Sequence, residues 1–371
     1  ASPGVTVEAR WHGRQGQAGD WRPVAQAGPS GRWQGHLGPI PRSVGWVQPQ
    51  IRAVGGEEIV TASSEVSAGH VVAIWGQSEF HRGVLPAHAA LQTAPLIRDP
   101  EALQVSYSAS AGDDYADPAQ LRHVAVRDET PVSAHMAALS NLLAEAAPGA
   151  RFHLVFHTRA GTGFQQLLDD DDPGRLWADD LALARFALPG DGRPGLAWMS
   201  WYNSDAGLGA RYGHVLFCAL TGYDANGALL RRGDVPQGGR HPMHHFFSDL
   251  YGPETQWAIA GPHRFERDTF AAPIAACRAA VNAMFEIPHL PAHIRRALEP
   301  LTYLNGNPGW RGDWSHPDTT AAPEEGMTRL MLLMGLSVLR QLRLQDWPVP
   351  EFDNAALVEA GRAVEVWSSA G

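Results

Sequence analysis

The chain has no lysine. All 29 of its basic residues are arginine, set against 39 acidic residues, for a formal charge of -10. No basic stripe is available to neutralise a phosphate backbone, which speaks against a nucleic-acid partner. Long apolar runs are also missing, and no stretch approaches the roughly 18 residues of a membrane-spanning helix. The two cysteines, Cys218 and Cys277, sit in apolar surroundings and read as buried thiols, so no disulfide framework is expected. What remains is a soluble globular composition, 44% hydrophobic and 18% charged. A length of 371 residues allows one large domain and a smaller one.

Metal-ligand patterns are weak. Asp169 to Asp172 are four adjacent carboxylates and read as a solvated loop, with a calcium site as the alternative. His241, His244 and His245 lack a Cys or Glu at zinc spacing and read as a loop or cleft wall. No metal site is expected.

Residues 1–66 are rich in Gly, Pro, Trp and Arg and read as a small β-sandwich-like module. Its expected strands are Val5–Trp11, Gly31–Leu37, Trp46–Val54 and Ile59–Thr61. Trp11, Trp21, Trp33 and Trp46 are expected to fill its core; stacking on sugar rings is the other use such side chains have. Residues 67–345 change to strands alternating with helices, the pattern of a parallel sheet with helices on both faces. Strands are expected at Val71–Trp75, Arg151–His157, Leu196–Trp201, His214–Leu220 and Gln256–Ala260. Between the first two of these, an irregular stretch is expected to about residue 120. A helix follows, capped by Thr130 with Pro131 at its first position. Further helices are expected over Ala271–Phe285 and from Pro323, the latter with Met327, Leu330, Met331, Met334 and Val338 buried. Residues 346–371 are expected to form a C-terminal β segment, the start or part of a β-module. The first residue is Ala1 rather than Met, so either a signal was removed or the chain is a piece of a longer protein or assembly; the last segment stops early, which favours the second expectation.

The stretch that organises the larger region is Gly69 to Phe80. Its apolar run ends abruptly in Gly76-Gln77-Ser78. Open α/β sheets place ligands and catalytic groups at the carboxyl ends of their strands, which makes Ser78 a candidate nucleophile. A partner lies far along the chain, in Asp313-Trp314-Ser315-His316-Pro317. An Asp three residues before a His can turn back onto the imidazole Nδ1, fix its tautomer, and leave Nε2 to take a proton from a hydroxyl.

Gly76-Gln77-Ser78 resembles the nucleophile block of SGNH (GDSL-like) hydrolases, in the form found in sialate O-acetylesterase-like carbohydrate esterases. Asp313-Trp314-Ser315-His316-Pro317 is similar to the Asp-x-x-His-Pro block of that family. Gly161 resembles the glycine of its second block, and Asn203 the amide donor of its third. The resemblance covers roughly residues 69–345. It implies a three-layer α/β/α flavodoxin-like sheet and a Ser78, His316, Asp313 triad. The oxyanion donors would be the Ser78 and Gly161 N–H groups and the Asn203 side chain. Gln77, Glu79, Arg159 and Trp314 are expected to line the substrate site, and His81 lies near it in sequence. There are two departures: Glu79 stands where the family usually has Asn, and the third block lacks Gln-Gly-Glu. The expected activity is removal of O-acetyl groups from a carbohydrate or polysaccharide, in an extracellular, periplasmic or particle-surface setting. The alternatives are a glycan-binding fibre or spike protein and a general lipid or aryl esterase.

Overall fold

The structure is a computed structural model. It describes residues 2–13, 16, 18–38, 47–63, 66, 69–85, 96–108, 121–127, 133–158, 194–200, 212–223, 235–237, 241–243, 247, 251, 255–260, 271–297 and 323–343. The chain divides into two compact units, residues 1–70 with 148–152, and residues 71–147 with 153–371.

In the first unit, β1 (Thr6–Gly13), β2 (Arg22–Gln26), β3 (Val47–Ala53) and β4 (Val60–Thr61) form an antiparallel sheet in the order β2-β1-β3-β4. Val7 and Ala9 alternate with Glu8 and Arg10 along β1, so one face is apolar and the other charged. The apolar side buries Val7 and Ala9, and Ala27 and Val47 are buried too. On the charged side Glu8 pairs with Arg52, and Arg10 with Gln50, in cross-strand register. Arg52 donates to Glu8 at 3.1 Å from Nε and pairs at 3.0 Å from Nη2, and Arg10 Nε donates to Gln50 at 2.9 Å. Both guanidinium groups lie against Trp21, 4.5 and 4.3 Å from a ring centre.

Two expectations for this region are corrected. Gly31–Leu37 is not a strand; the strand is Arg22–Gln26, at an edge where Pro23 is tolerated. At Gly35 a Cβ would overlap the Val24 carbonyl, so this segment passes too close to β2 to carry side chains on that side. Nor do the tryptophans fill the core. Trp11 and Trp21 are half-buried and Trp33 is 37% exposed, while Trp46 lies outside the described residues.

The rest of the chain runs β5 (His70–Gly76), α1 (Ser78–Val84), β6 (Leu103–Ser108), β7 (Leu121–Ala125), α2 (Ala134–Ala146), β8 (Phe152–Thr158) and β9 (Leu196–Met199). It continues with α3 (Tyr212–Thr221), β10 (Val235–Gln237), β11 (His241–Met243), β12 (Gln256–Ile259), α4 (Ala271–Met284), β13 (Ile294–Arg296) and α5 (Pro323–Arg343). Among the described residues, seven strands make one sheet in the order β13-β12-β9-β5-β8-β6-β7. The β13, β12, β9 and β5 pairings are parallel, and β6 with β7 is antiparallel. This is a mixed α/β arrangement around a large, mostly parallel sheet.

Strand β5 lies at its centre, with Val72 to Trp75 all 1% exposed or less. Alternate residues meet different helices. Ala73, Trp75, Ala197 and Met199 cluster with Phe217 of α3 and with Val281 and Met284 of α4. Trp198 instead meets Phe80 of α1 edge-on at 5.2 Å and donates from Nε1 to Ser337 of α5 at 3.0 Å. Among the described residues, no helix is long and apolar enough to cross a membrane.

Here too the sequence expectations need correction. His214–Leu220 is not a strand but part of α3, in which Leu216 to Leu220 are all buried. A short apolar run has no polar face to reveal its period, so strand and buried helix look alike. The stretch expected to be irregular holds β6, and β7 begins where it ends; together they extend the sheet to one edge. The cap of α2 is Ser133, not Thr130; its Oγ accepts from Met136 N at 3.2 Å and donates to the Gly83 carbonyl. By contrast, β5, β8, β9, β12, α4 and α5 fall where the pattern placed them. Helix α5 is more deeply set than a single stripe, since Leu330 to Leu339 are all buried. Gly335 lets it approach α2 so closely that a Cβ there would overlap Leu139. Residues 346–371, Thr130, Pro131 and the Asp169 to Asp172 loop lie outside the described residues.

Candidate active site

The candidate nucleophile sits at a strand-to-helix corner. Strand β5 ends at Gly76, Gln77 is the N-cap with φ -99° and ψ -156°, and Ser78 opens α1. The corner is tight because Phe80, one turn into α1, folds back over the strand. A Cβ on residue 76 would overlap the Phe80 ring, so glycine is required there by close approach. Gln77 is 4% exposed and makes no side-chain cap to the helix. As the first helical residue, Ser78 has a backbone N–H with no partner inside the helix. The side chains of Ser78 and Glu79 lie outside the described part of the structure.

The neighbouring strands end at the same level. Ser200, just past β9, donates its N–H to the Trp75 carbonyl at 3.0 Å, and Ala260, just past β12, donates to Met199 at 2.8 Å. On the other side, His70 N donates to Arg151 at 2.7 Å near the start of β8. At the far end of β8, the His157 ring lies 4.6 Å from that of Trp75. Thr158 Oγ1 is 3.3 Å from Nδ1 of His81, the fourth residue of α1. The carboxyl ends of β8, β5, β9 and β12 therefore form one rim, and Ser78 leaves from its middle.

Gly161 follows the end of β8 by three residues and Asn203 follows that of β9 by four, but both lie outside the described residues. So do Arg159, Asp313, Trp314 and His316, and so does the fitting of any second or third triad member to Ser78. His241, His244 and His245 are described only in part: His241 begins β11, which pairs with β10, and no side chain of the three is described.

Two histidine arrangements escaped the sequence reading. His157 is buried against Trp75 and Tyr251, and neither ring nitrogen has a hydrogen-bond partner among the described residues. Burial pushes its pKa down to about 3, so it stays neutral and, enclosed as it is, cannot serve as a base for substrate. The second arrangement lies at the other edge of the sheet, where Ser106, His123 and His153 meet across β6, β7 and β8. His123 is exposed on one side, and the partial burial of its ring lowers its pKa; burial followed by the His123 charge lowers that of His153 to about 4. The signal was the alternation Phe152-His153-Leu154-Val155-Phe156-His157, which sets His153 and His157 on one face.

No family model and no curated protein matches the chain. Among solved structures, it is similar to a carbohydrate acetylesterase from Xanthomonas citri, with a TM-score of 0.45 and 14% identity over 92% of this chain and 69% of that one. It is also similar to a family two carbohydrate esterase from Cellvibrio japonicus, with a TM-score of 0.28 and 11% identity over 90% of this chain and 84% of that one.

Proposed function

We propose that the chain is a serine ester hydrolase of the SGNH type that removes O-acetyl groups from a carbohydrate or polysaccharide. The observation that carries this reading is the placement of Ser78. It opens α1 directly off the carboxyl end of the central strand, at a corner that Gly76 makes possible. In the three-layer SGNH arrangement this is the place of the nucleophile. Ser78 attacks the ester carbonyl while His316 takes its proton and later returns it to the leaving alcohol. Asp313 holds the His316 tautomer. The Ser78 N–H, the Gly161 N–H and the Asn203 amide stabilise the oxyanion, each donor contributing about 3 kcal/mol in comparable sites. Gln77, Glu79, Arg159 and Trp314 shape the substrate side. None of these steps requires a metal or an organic cofactor.

Acetate release from p-nitrophenyl acetate and from an acetylated polysaccharide tests the reading. Wild type should turn over both, and Ser78→Ala and His316→Ala should each lose about 10³-fold or more in kcat. Wild-type protein that releases no acetate from either would overturn it. A second reading, a glycan-binding fibre or spike protein without turnover, draws on Glu79. A carboxylate next to the nucleophile disfavours an oxyanion, and retained glycan binding without acetate release would select this reading. Preference for long acyl chains would instead indicate a lipid esterase.

A further inference from the structure

At the edge of the large sheet, three side chains from three adjacent strands converge on one point. Ser106 on β6 stands directly opposite His123 on β7 in the antiparallel register. On the other side β8 contributes His153. His123 Nδ1 and His153 Nε2 each lie 2.6 Å from Ser106 Oγ. The two rings stand 68° apart with centres 6.5 Å from one another. Two imidazole nitrogens aimed at one oxygen from either side is an unusual use of a buried serine. A hydroxyl has one proton, so it donates to one nitrogen and must accept from the other. One ring therefore turns a bare nitrogen inward, and the other turns in a nitrogen that must give up its hydrogen for a metal to bind.

We infer that His123 and His153 form a chelating site for a divalent first-row transition ion of the Zn²⁺, Ni²⁺ or Cu²⁺ class, with the Ser106 hydroxyl as a third oxygen donor. Imidazole nitrogen suits these ions, at about 2.0–2.1 Å. Ligand atoms of a tetrahedral ion at that bond length are about 3.3 Å apart. Reaching that geometry asks each nitrogen-to-oxygen distance to open from 2.6 Å by under about 1 Å, and the two rings to turn until their nitrogens face one common point at the same spacing from each other. His123 is exposed, which gives an ion a route to the site and room for water as a further ligand, whereas Ser106 is fully buried. Among the described residues no three His, Cys, Asp or Glu side chains converge anywhere, so the site has two strong ligands rather than three or four. Its affinity should accordingly be micromolar rather than nanomolar. The site lies on β6, β7 and β8 and shares no residue with the Ser78 corner.

Calorimetric titration of the EDTA-treated full chain with Zn²⁺ alone tests the inference, supported by electron paramagnetic resonance with Cu²⁺ alone. The chain has 17 histidines, so the variants carry the test. Wild type should bind one ion at this site, with coupling to two nitrogens in the Cu²⁺ spectrum. His123→Gln should weaken that binding at least tenfold and leave coupling to a single nitrogen, and His123→Cys should restore Zn²⁺ binding through its thiolate. Equal affinity in wild type and His123→Gln, or no Zn²⁺ binding by wild type, would overturn the inference. So would equal loss in His123→Gln and His123→Cys, since it would mark His123 as a structural residue rather than a ligand.

Discussion

The centre and the edge of the large sheet solve the same burial problem differently. At the centre, β5 and β9 are apolar on both faces, since helices meet each face and every inward atom must do without water. Polar chemistry is displaced to the strand ends, and Ser78 sits at such an end. At the edge, β6 and β7 form an antiparallel pair with polar groups inside the strands: Ser106 between two imidazoles, and Arg122 and His123 exposed on β7. A fully buried strand can present reactive groups only where it stops. A half-covered strand can present them along its length.

Three substitutions probe that contrast. The largest effect is expected at Trp198, fully buried at the centre, edge-on to Phe80 and bonded to Ser337. Trp198→Ala leaves a cavity and removes the bond to Ser337, and should cost about 3–5 kcal/mol in urea unfolding. A cost below about 1 kcal/mol would mean that the centre is far less tightly packed than described.

Next comes acid. The pKa of His157 in the folded chain, about 3, lies below the ordinary 6.5. As pH falls, the unfolded chain takes up this proton first. The stabilising contribution is therefore complete above 6.5 and is lost progressively down to about 3, at about 1.4 kcal/mol per pH unit. Stability measured across this window should fall less steeply in His157→Leu, by about one proton's worth. His135 and His153, both lowered to about 4 by burial, keep slopes of their own. An unchanged slope in His157→Leu would show that His157 is not held neutral in the folded chain.

The smallest effect belongs to the edge. In EDTA, His123→Gln should cost about 1 kcal/mol or less, since the side chain is exposed and Ser106 keeps its bond to His153. A loss as large as that of Trp198→Ala would erase the distinction between centre and edge.

Much of this was legible in the sequence. The run Val71 to Trp75 ended by Gly76 gave β5 and its corner, because a buried strand and a glycine leave strong local marks. The start of α5 at Pro323 and its apolar stripe were legible for the same reason. The α3 segment was not, since an apolar run conceals its period, and β6 and β7 were overlooked although Leu103-Gln104-Val105-Ser106-Tyr107 alternates. Thr130 looked like a cap by chemistry, but Ser133 is the residue whose hydroxyl reaches both Met136 and Gly83. Of the candidate site, the structure describes the corner and the rim of strand ends. The remaining members are known only by sequence position.

Local sequence by itself determined that a strand runs to Gly76, that a turn follows, and that Ser78 stands just beyond it. Sequence order also named Asp313 and His316 as candidate partners. Only the tertiary structure placed that strand at the centre of seven, made Gly76 obligatory by laying Phe80 over it, and brought Ser106, His123 and His153 together. Backbone propensity and turn chemistry act within a few residues, whereas close approach and side-chain convergence depend on which strands lie side by side.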